Sequence, residues 1–327
     1  MSLKHRGIQI IGLGTVALAC AASALTPACA ETPTRECRVG ADCATGVCGD
    51  DGQCLRESTP GVDSGVETDA TSSGDGATTD GPTGDSSLPG CVPNKDGTIT
   101  RDEVPVAAGL QATYKIGTNE NVSTAGVAGV GGKRMWDFSA ALASDQSVIV
   151  ETQALAGKWY ATKFPGATYA SKLSAGKDVL GVFETSPGAL LLRGVVSPTE
   201  SALGTSLTYT PAVSILKFPL TNGAAWTTDT TASGTAAGVN LTFVPTTEKY
   251  ESKVDAVGEL KTPLGTFDVQ RVAIVLTRKV GVVPLTTIVR SFAFVTECYG
   301  TVATVTSADN EANEEFTNAA EIRRISP

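Results

Sequence analysis

Histidine is all but missing from this chain: it occurs once, as His5, within a segment that reads as a removable leader. A mature chain that begins beyond that leader has no imidazole at all. This excludes Ser-His-Asp and Cys-His catalysis, histidine general bases, and zinc, iron or copper held by histidine. Nucleotide-binding glycine patterns are missing too. Gly126, Gly129, Gly131 and Gly132 form neither a dinucleotide fingerprint nor a phosphate loop, and no strand–helix–strand unit surrounds them. No Gly-x-Ser-x-Gly elbow occurs. Beyond residue 30 no segment is apolar enough for a helix to span a bilayer. Basic charge is also in short supply. The net charge of −9 argues against nucleic acid and anionic membrane as partners.

What is present divides the 327 residues into unequal parts. Residues 1–30 have the make-up of a signal peptide: Lys4, His5 and Arg6, an apolar run from Ile8 to Ala24, Pro27, then Ala28-Cys29-Ala30 before Glu31. Cys29 is also a candidate for a lipid anchor, although the residue three before it is not the leucine such a site prefers. An extracytoplasmic chain, secreted or at the envelope surface, is therefore expected. Residues 31–57 hold Cys37, Cys43, Cys48 and Cys54, expected to form two disulfides in a module too small for a core. Their pairing stays open. Residues 58–89 contain six acidic residues, no Lys or Arg and no aromatic residue, the make-up of a disordered, extended spacer. Two cysteines remain, Cys91 and Cys298. Parity in an oxidising compartment predicts that they pair.

From residue 105 to 327 the patterning is that of strands. Tyr250 to Leu260 nearly alternates, with Tyr250, Ser252, Val254, Ala256 and Leu260 on one face and Glu251, Lys253, Asp255 and Glu259 on the other. One wet face and one dry face favour antiparallel sheet. Turn residues separate the runs at Ser186-Pro187-Gly188, Asn222-Gly223 and Thr262-Pro263-Leu264-Gly265. Two short stretches, Ala167–Leu173 and Asn310–Phe316, are the best helix candidates. The expected fold is all-β and mostly antiparallel, as a curved half-barrel or a two-sheet sandwich.

Three constellations bear on chemistry. Ser174-Ala-Gly-Lys177 matches a Ser-x-x-Lys pair, in which the lysine takes the serine proton from one helical turn away, but its companion motifs are absent. Residues 90–104 resemble the later part of a calcium-binding loop. Asn94, Asp96, the Thr98 carbonyl, Thr100 and Glu103 stand where ligands would, with Gly97 at the sharp turn. Val92 takes the first ligand position and offers no side-chain oxygen. Calcium is thus the one cofactor the sequence suggests. Trp136, Trp159, Trp226, Tyr160 and Tyr169 offer a sugar-stacking face, but Trp136-Asp-Phe138 and Lys158-Trp-Tyr160 lie on strand-like runs, where aromatic residues serve a core more often.

The order of leader, cysteine cluster, Asp/Thr/Gly-rich linker and β-domain resembles secreted or surface proteins of the myxobacterial type. Phe218-Pro-Leu220, Gly223, Trp226, Gly258-Glu-Leu-Lys-Thr-Pro263, Gly265, Phe267 and Arg271-Val272 resemble envelope β-domains similar to the open half-barrels of lipoprotein carriers. That resemblance implies a non-enzymatic protein binding a hydrophobic or peptide ligand, or a protein partner, on the β-domain. The rival is a histidine-free secreted hydrolase using carboxylates or the Ser174–Lys177 pair.

Overall fold

The computed structural model describes residues 91–174 and 176–327. The expected leader, Cys29, the Cys37, Cys43, Cys48 and Cys54 module and the linker over 58–89 lie outside the described residues. Seventeen strands follow one another. They are β1 (Thr98–Ile99), β2 (Gln111–Asn121), β3 (Val127–Ala128), β4 (Arg134–Asp137), β5 (Gln146–Gln153) and β6 (Tyr169–Lys172). Next come β7 (Leu180–Ser186), β8 (Ala189–Val196), β9 (Ser206–Lys217), β10 (Leu220–Thr221), β11 (Ala225–Ala236) and β12 (Val239–Asn240). The last are β13 (Thr246–Lys261), β14 (Thr266–Val280), β15 (Leu285–Thr296), β16 (Gly300–Ser307) and β17 (Asn318–Ser326). The only helical segments among the described residues are single 3-10 turns.

The domain is all-β, as expected, but it is neither a half-barrel nor a sandwich. Its sheet runs β11-β9-β8-β7-β6-β5-β2-β17-β16-β15-β14-β13 and then returns to β11, closing a twelve-stranded antiparallel barrel. Closure leaves the wall no free edge, which removes the hazard of open pairing. The last bond in the ring is the pairing of β11 with the upper part of β13, from Ala225↔Lys253 to Ala232↔Thr246. Both helix candidates fail. Residues 169–172 are β6, paired with β7, and 310–316 form an irregular stretch. Neither run is long enough for helical propensity to outweigh the tertiary pairing on offer.

The turn predictions fare better. Ser186–Ala189 closes β7 to β8, and Thr262 and Gly265 exchange backbone hydrogen bonds between β13 and β14. At Asn222-Gly223 the turn forms, with Ala224 N–H donating to Thr221 O at 3.0 Å. The strand before it, however, pairs with β1 and not with β11.

Side chains from β6, β7, β8, β9, β11, β13, β14 and β15 meet in one cluster that fills the lumen: Tyr169, Phe183, Leu192, Tyr209, Val213, Trp226, Val254 and Val272 among them. The lower end is stoppered by residues 91–106, whose Ile99, Val104 and Val106 join the same cluster. Outward positions carry Thr227, Asp229 and Thr231 on β11 and Glu251 and Lys253 on β13. That is a wetted wall, unlike the apolar band of a membrane-spanning barrel. No helix among the described residues is long and apolar enough to cross a membrane.

A β-bulge at Asp255 changes the reading of the Tyr250–Leu260 alternation. Above it Val254 sits opposite Val272 in the lumen; below it Ala256 sits opposite Arg271, and Ala256 and Leu260 join a second cluster on the outside of the wall. One extra residue moves the apolar positions from one side of the sheet to the other. That outer cluster is roofed by residues 122–138 and Phe316. β4 pairs parallel with the lower end of β13, so close that a Cβ on Gly258 would lie 1.8 Å from Arg134 O. Only glycine fits there.

Cys91 and Cys298 are joined, with Cα atoms 5.5 Å apart, so the expected pairing is present. The bond pins the stopper to the turn after β15, where Cys298 N–H also donates to Glu103 O at 2.7 Å. The link spans 207 residues. A loop of that length is worth about 5 kcal/mol in chain entropy as an upper figure. Cys298→Ala, compared with wild type by urea unfolding, should therefore lower stability by a few kcal/mol at most. It should also raise hydrogen exchange selectively in residues 91–106. Unchanged exchange there would show that the stopper holds without the bond.

Candidate functional site

The five residues assigned to calcium do come together. Asp96 N–H donates to Asn94 Oδ1 at 2.9 Å, and Thr98 N–H donates to Asp96 Oδ1 at 2.7 Å. Glu103 folds back across the loop. Its Oε1 accepts from Asn94 Nδ2, and its Oε2 accepts from the Thr100 amide and hydroxyl, each at 2.8 Å. The would-be metal ligands thus satisfy one another. Among the described residues no group of three or more His, Cys, Asp or Glu side chains is arranged to hold a metal. The loop also has a structural task. β1 pairs with β10, Gly97 O accepts from lumenal Gln270 Nε2 at 2.9 Å, and Lys95 N–H donates to Glu297.

The Ser174–Lys177 pair lies in the loop between β6 and β7, not on a helix. Ser174 Oγ donates to Glu321 Oε2 at 2.7 Å. Burial and then Arg278 lower the Lys177 pKa. Nearby in the upper lumen Arg278 meets Glu248 at 2.6 Å, and Tyr250 Oη donates to the other Glu248 oxygen at 2.6 Å. Burial raises both the Tyr209 and the Tyr250 phenols. Hydroxyls held neutral and a paired carboxylate make this a closed structural network. The aromatic residues do not share one face: Trp136 is in the outer cluster, Trp226 and Tyr169 are lumenal, and Trp159 and Tyr160, in the β5–β6 connection, pack with Phe164 against Leu180, Val182 and Val196.

The concavity that stands out is on the outside of the barrel. A cleft of 540 Å³ opens between the wall and residues 121–142. Val122, Met135, Trp136, Phe138, Leu142 and Ile322 give it an apolar lining, and Asn121, Asp137, Glu259 and Lys261 stand at its polar positions. Its shape is fixed from behind. Trp136 packs edge-on to Phe294 at 5.1 Å, and its Nε1 donates to Thr124 O at 2.8 Å. Arg324, fully buried, holds Phe138 O, Ala140 O and Asp145. Met135 and Val127 remain largely exposed at the mouth.

The roof is anchored by Arg271, whose side chain is 3% exposed. It forks onto Asp255 at 2.9 and 2.7 Å and onto Glu315 at 2.7 and 3.0 Å, donates to Thr124 O at 2.6 Å, and lies 4.2 Å over the Phe292 ring. Every guanidinium donor is used. Burial alone would raise the Glu315 carboxyl, but Arg271 holds it below the ordinary carboxylate range. No family model, no curated protein and no solved structure matches the chain.

Three outcomes follow. Arg271→Met should destabilise the protein by roughly 3 kcal/mol, because it strands two carboxylates that one guanidinium now pairs. Glu315→Gln should cost less, and its cost should depend on pH. A depressed folded-state pKa contributes stability that is present above the unfolded value of about 4.3 and is lost as pH falls through the folded value. Urea midpoints of wild type and Glu315→Gln should differ at pH 7 and converge in acid; a constant gap would refute the assignment. Calorimetric titration of the full chain with calcium should show no binding tighter than about 10⁻⁴ M.

Proposed function

We propose that this is a non-enzymatic extracytoplasmic surface or envelope protein that holds a hydrophobic ligand, or the apolar side chains of a peptide, in the cleft outside its barrel. The cleft carries the reading. Its volume and apolar lining with a few polar groups suit a small-molecule site. Its walls are pre-formed by Trp136, Phe138 and Arg324, which lowers the ordering cost of binding. The proposal moves the ligand from the concave sheet face suggested by half-barrel carriers to the outer wall, since the lumen is filled. A disulfide-linked barrel agrees with an oxidising compartment. The membership among myxobacterial-type surface proteins, and a lipid anchor at Cys29, are parts of the same proposal.

The rival hydrolase finds little to work with. Ser174 donates to Glu321, Asp255 and Glu315 share Arg271, and the Glu315 carboxyl is shifted away from the range of a general acid.

The test is saturable binding of an apolar fluorescent dye to the full chain, with medium-chain fatty acids and apolar peptides as competitors. Met135→Asp combined with Val127→Asp places charge at the cleft mouth on exposed positions, so folding should be unaffected. Affinity should fall about tenfold or more. Dye binding that is absent, or unchanged in the double variant, would reject the cleft as the site.

A further inference from the structure

At the upper end of the barrel, opposite the disulfide, the loops carry apolar side chains on their tips. The β14–β15 turn exposes Val282 and Val283, at 86% and 85%, and Leu285 beside them. The connection from β11 through β12 to β13 exposes Val239 and Phe243, the latter at 80%. The β8–β9 loop exposes Leu203 at 81%. These loops form one continuous rim. Gly281 N–H donates to Pro245 O at 2.8 Å, and Gly238 N–H donates to Gly204 O at 3.2 Å. In wall order β8, β9, β11, β13, β14 and β15 are successive neighbours. Six of the large apolar side chains that the domain leaves in water thus collect along a single arc.

The rim carries a single charged residue. Residues 230–247 and 280–289 contain no Asp, Glu, Lys or Arg, and Glu200 is the sole charged residue between 194 and 208. The wall just below is charged, with Lys279, Lys249 and Glu251. Protein interfaces concentrate Trp, Tyr and Arg in flat, complementary patches with a hydrogen-bonded rim. These loops have none of those three residues, and glycine and proline make them into separate projections. Projecting apolar tips without charge suit a medium that yields around them. Six exposed apolar side chains gathered along one arc call for a partner.

We propose that this rim dips into the headgroup–acyl boundary of an uncharged lipid bilayer, with Phe243, Val282 and Val283 as the deepest side chains. The contact is peripheral: the wetted wall stays in water and only the loop tips enter. The drive is apolar burial and not charge, consistent with a chain of net charge −9, which anionic lipid would repel. This inference does not depend on the ligand cleft.

The test uses the full chain with phosphatidylcholine vesicles. Val283→Trp puts an indole on the rim, and Thr227→Trp puts one on the outer wall, opposite Glu251, as a control. Both sites are exposed, so the fold should tolerate either. The rim indole should shift to the blue and be quenched by acyl-brominated lipid at low and high salt; the wall indole should do neither. This readout holds even if an acyl anchor elsewhere tethers the chain, because a tethered but undipped rim is not quenched. Combining Phe243→Asp, Val282→Asp and Val283→Asp should reduce vesicle-dependent shielding of a dye attached at the rim about tenfold or more. A rim indole that stays unquenched would overturn the proposal. So would an unquenched rim whose triple substitution breaks up a self-associated form, since the rim would then be a protein contact.

Discussion

The barrel depends on how one strand is shared. β13 is sixteen residues long and pairs with β14 along its whole length. Its other edge is divided. The upper half takes β11 and closes the ring; the lower half takes β4 and carries the outer roof. The bulge at Asp255 falls between the two territories. It turns the lower side chains outward, where the roof needs an apolar floor, and aims Asp255 at Arg271. Ring closure, roof and cleft therefore share one origin, a local insertion that lets a single strand serve two surfaces. The cost of burying Arg271 is offset because its two carboxylates and a backbone carbonyl take up its donors.

How much of this was legible in the sequence varied with the range of the interaction. Turn chemistry acts locally, so Ser186-Pro187-Gly188 and Thr262–Gly265 were readable as hairpin turns. The Cys91–Cys298 bond was readable by elimination, because few cysteines remained to pair. The closed ring was not readable. It requires β11 to meet β13 and β17 to meet β2, and nothing in residues 318–326 names 113–121 as their partner. The alternation from Tyr250 to Leu260 misled, since an inserted residue that flips the faces leaves the hydrophobic pattern looking unbroken. At Ala167–Leu173 a short run with helix-forming residues was taken up by a sheet that had a place for it.

The candidate site was hidden for a related reason. The cleft draws Val122, Met135, Trp136 and Phe138 from one stretch, Glu259 and Lys261 from β13, and Ile322 from β17, so no spacing announces it. Trp136 and Phe138 were visible as aromatic residues in a strand-like run, and reading them as core was right in that both are buried. That the same pair would also form the back of an open cleft follows only from the placement of the roof. The calcium-like loop was the opposite case: its spacing was conspicuous in one stretch of sequence, and its oxygens also hold together the turn that stoppers the barrel.

The pairing of β2 with β17 sets the order in which this wall can be completed. On a chain made from its N-terminus, β2 and β5 are finished early, but β2 must wait for residues 318–326 before its second edge is covered. Until β17 is made the wall can be at most an open sheet of eleven strands, with β2 and β16 as its uncovered edges. Such wiring favours slow, late closure and a transient edge that invites mispairing. The stopper waits as well, since Cys91 has no partner until Cys298 has been made. Until residues 318–326 are made the wall is a ribbon without a clasp, and the nine-residue β17 turns the ribbon into a ring.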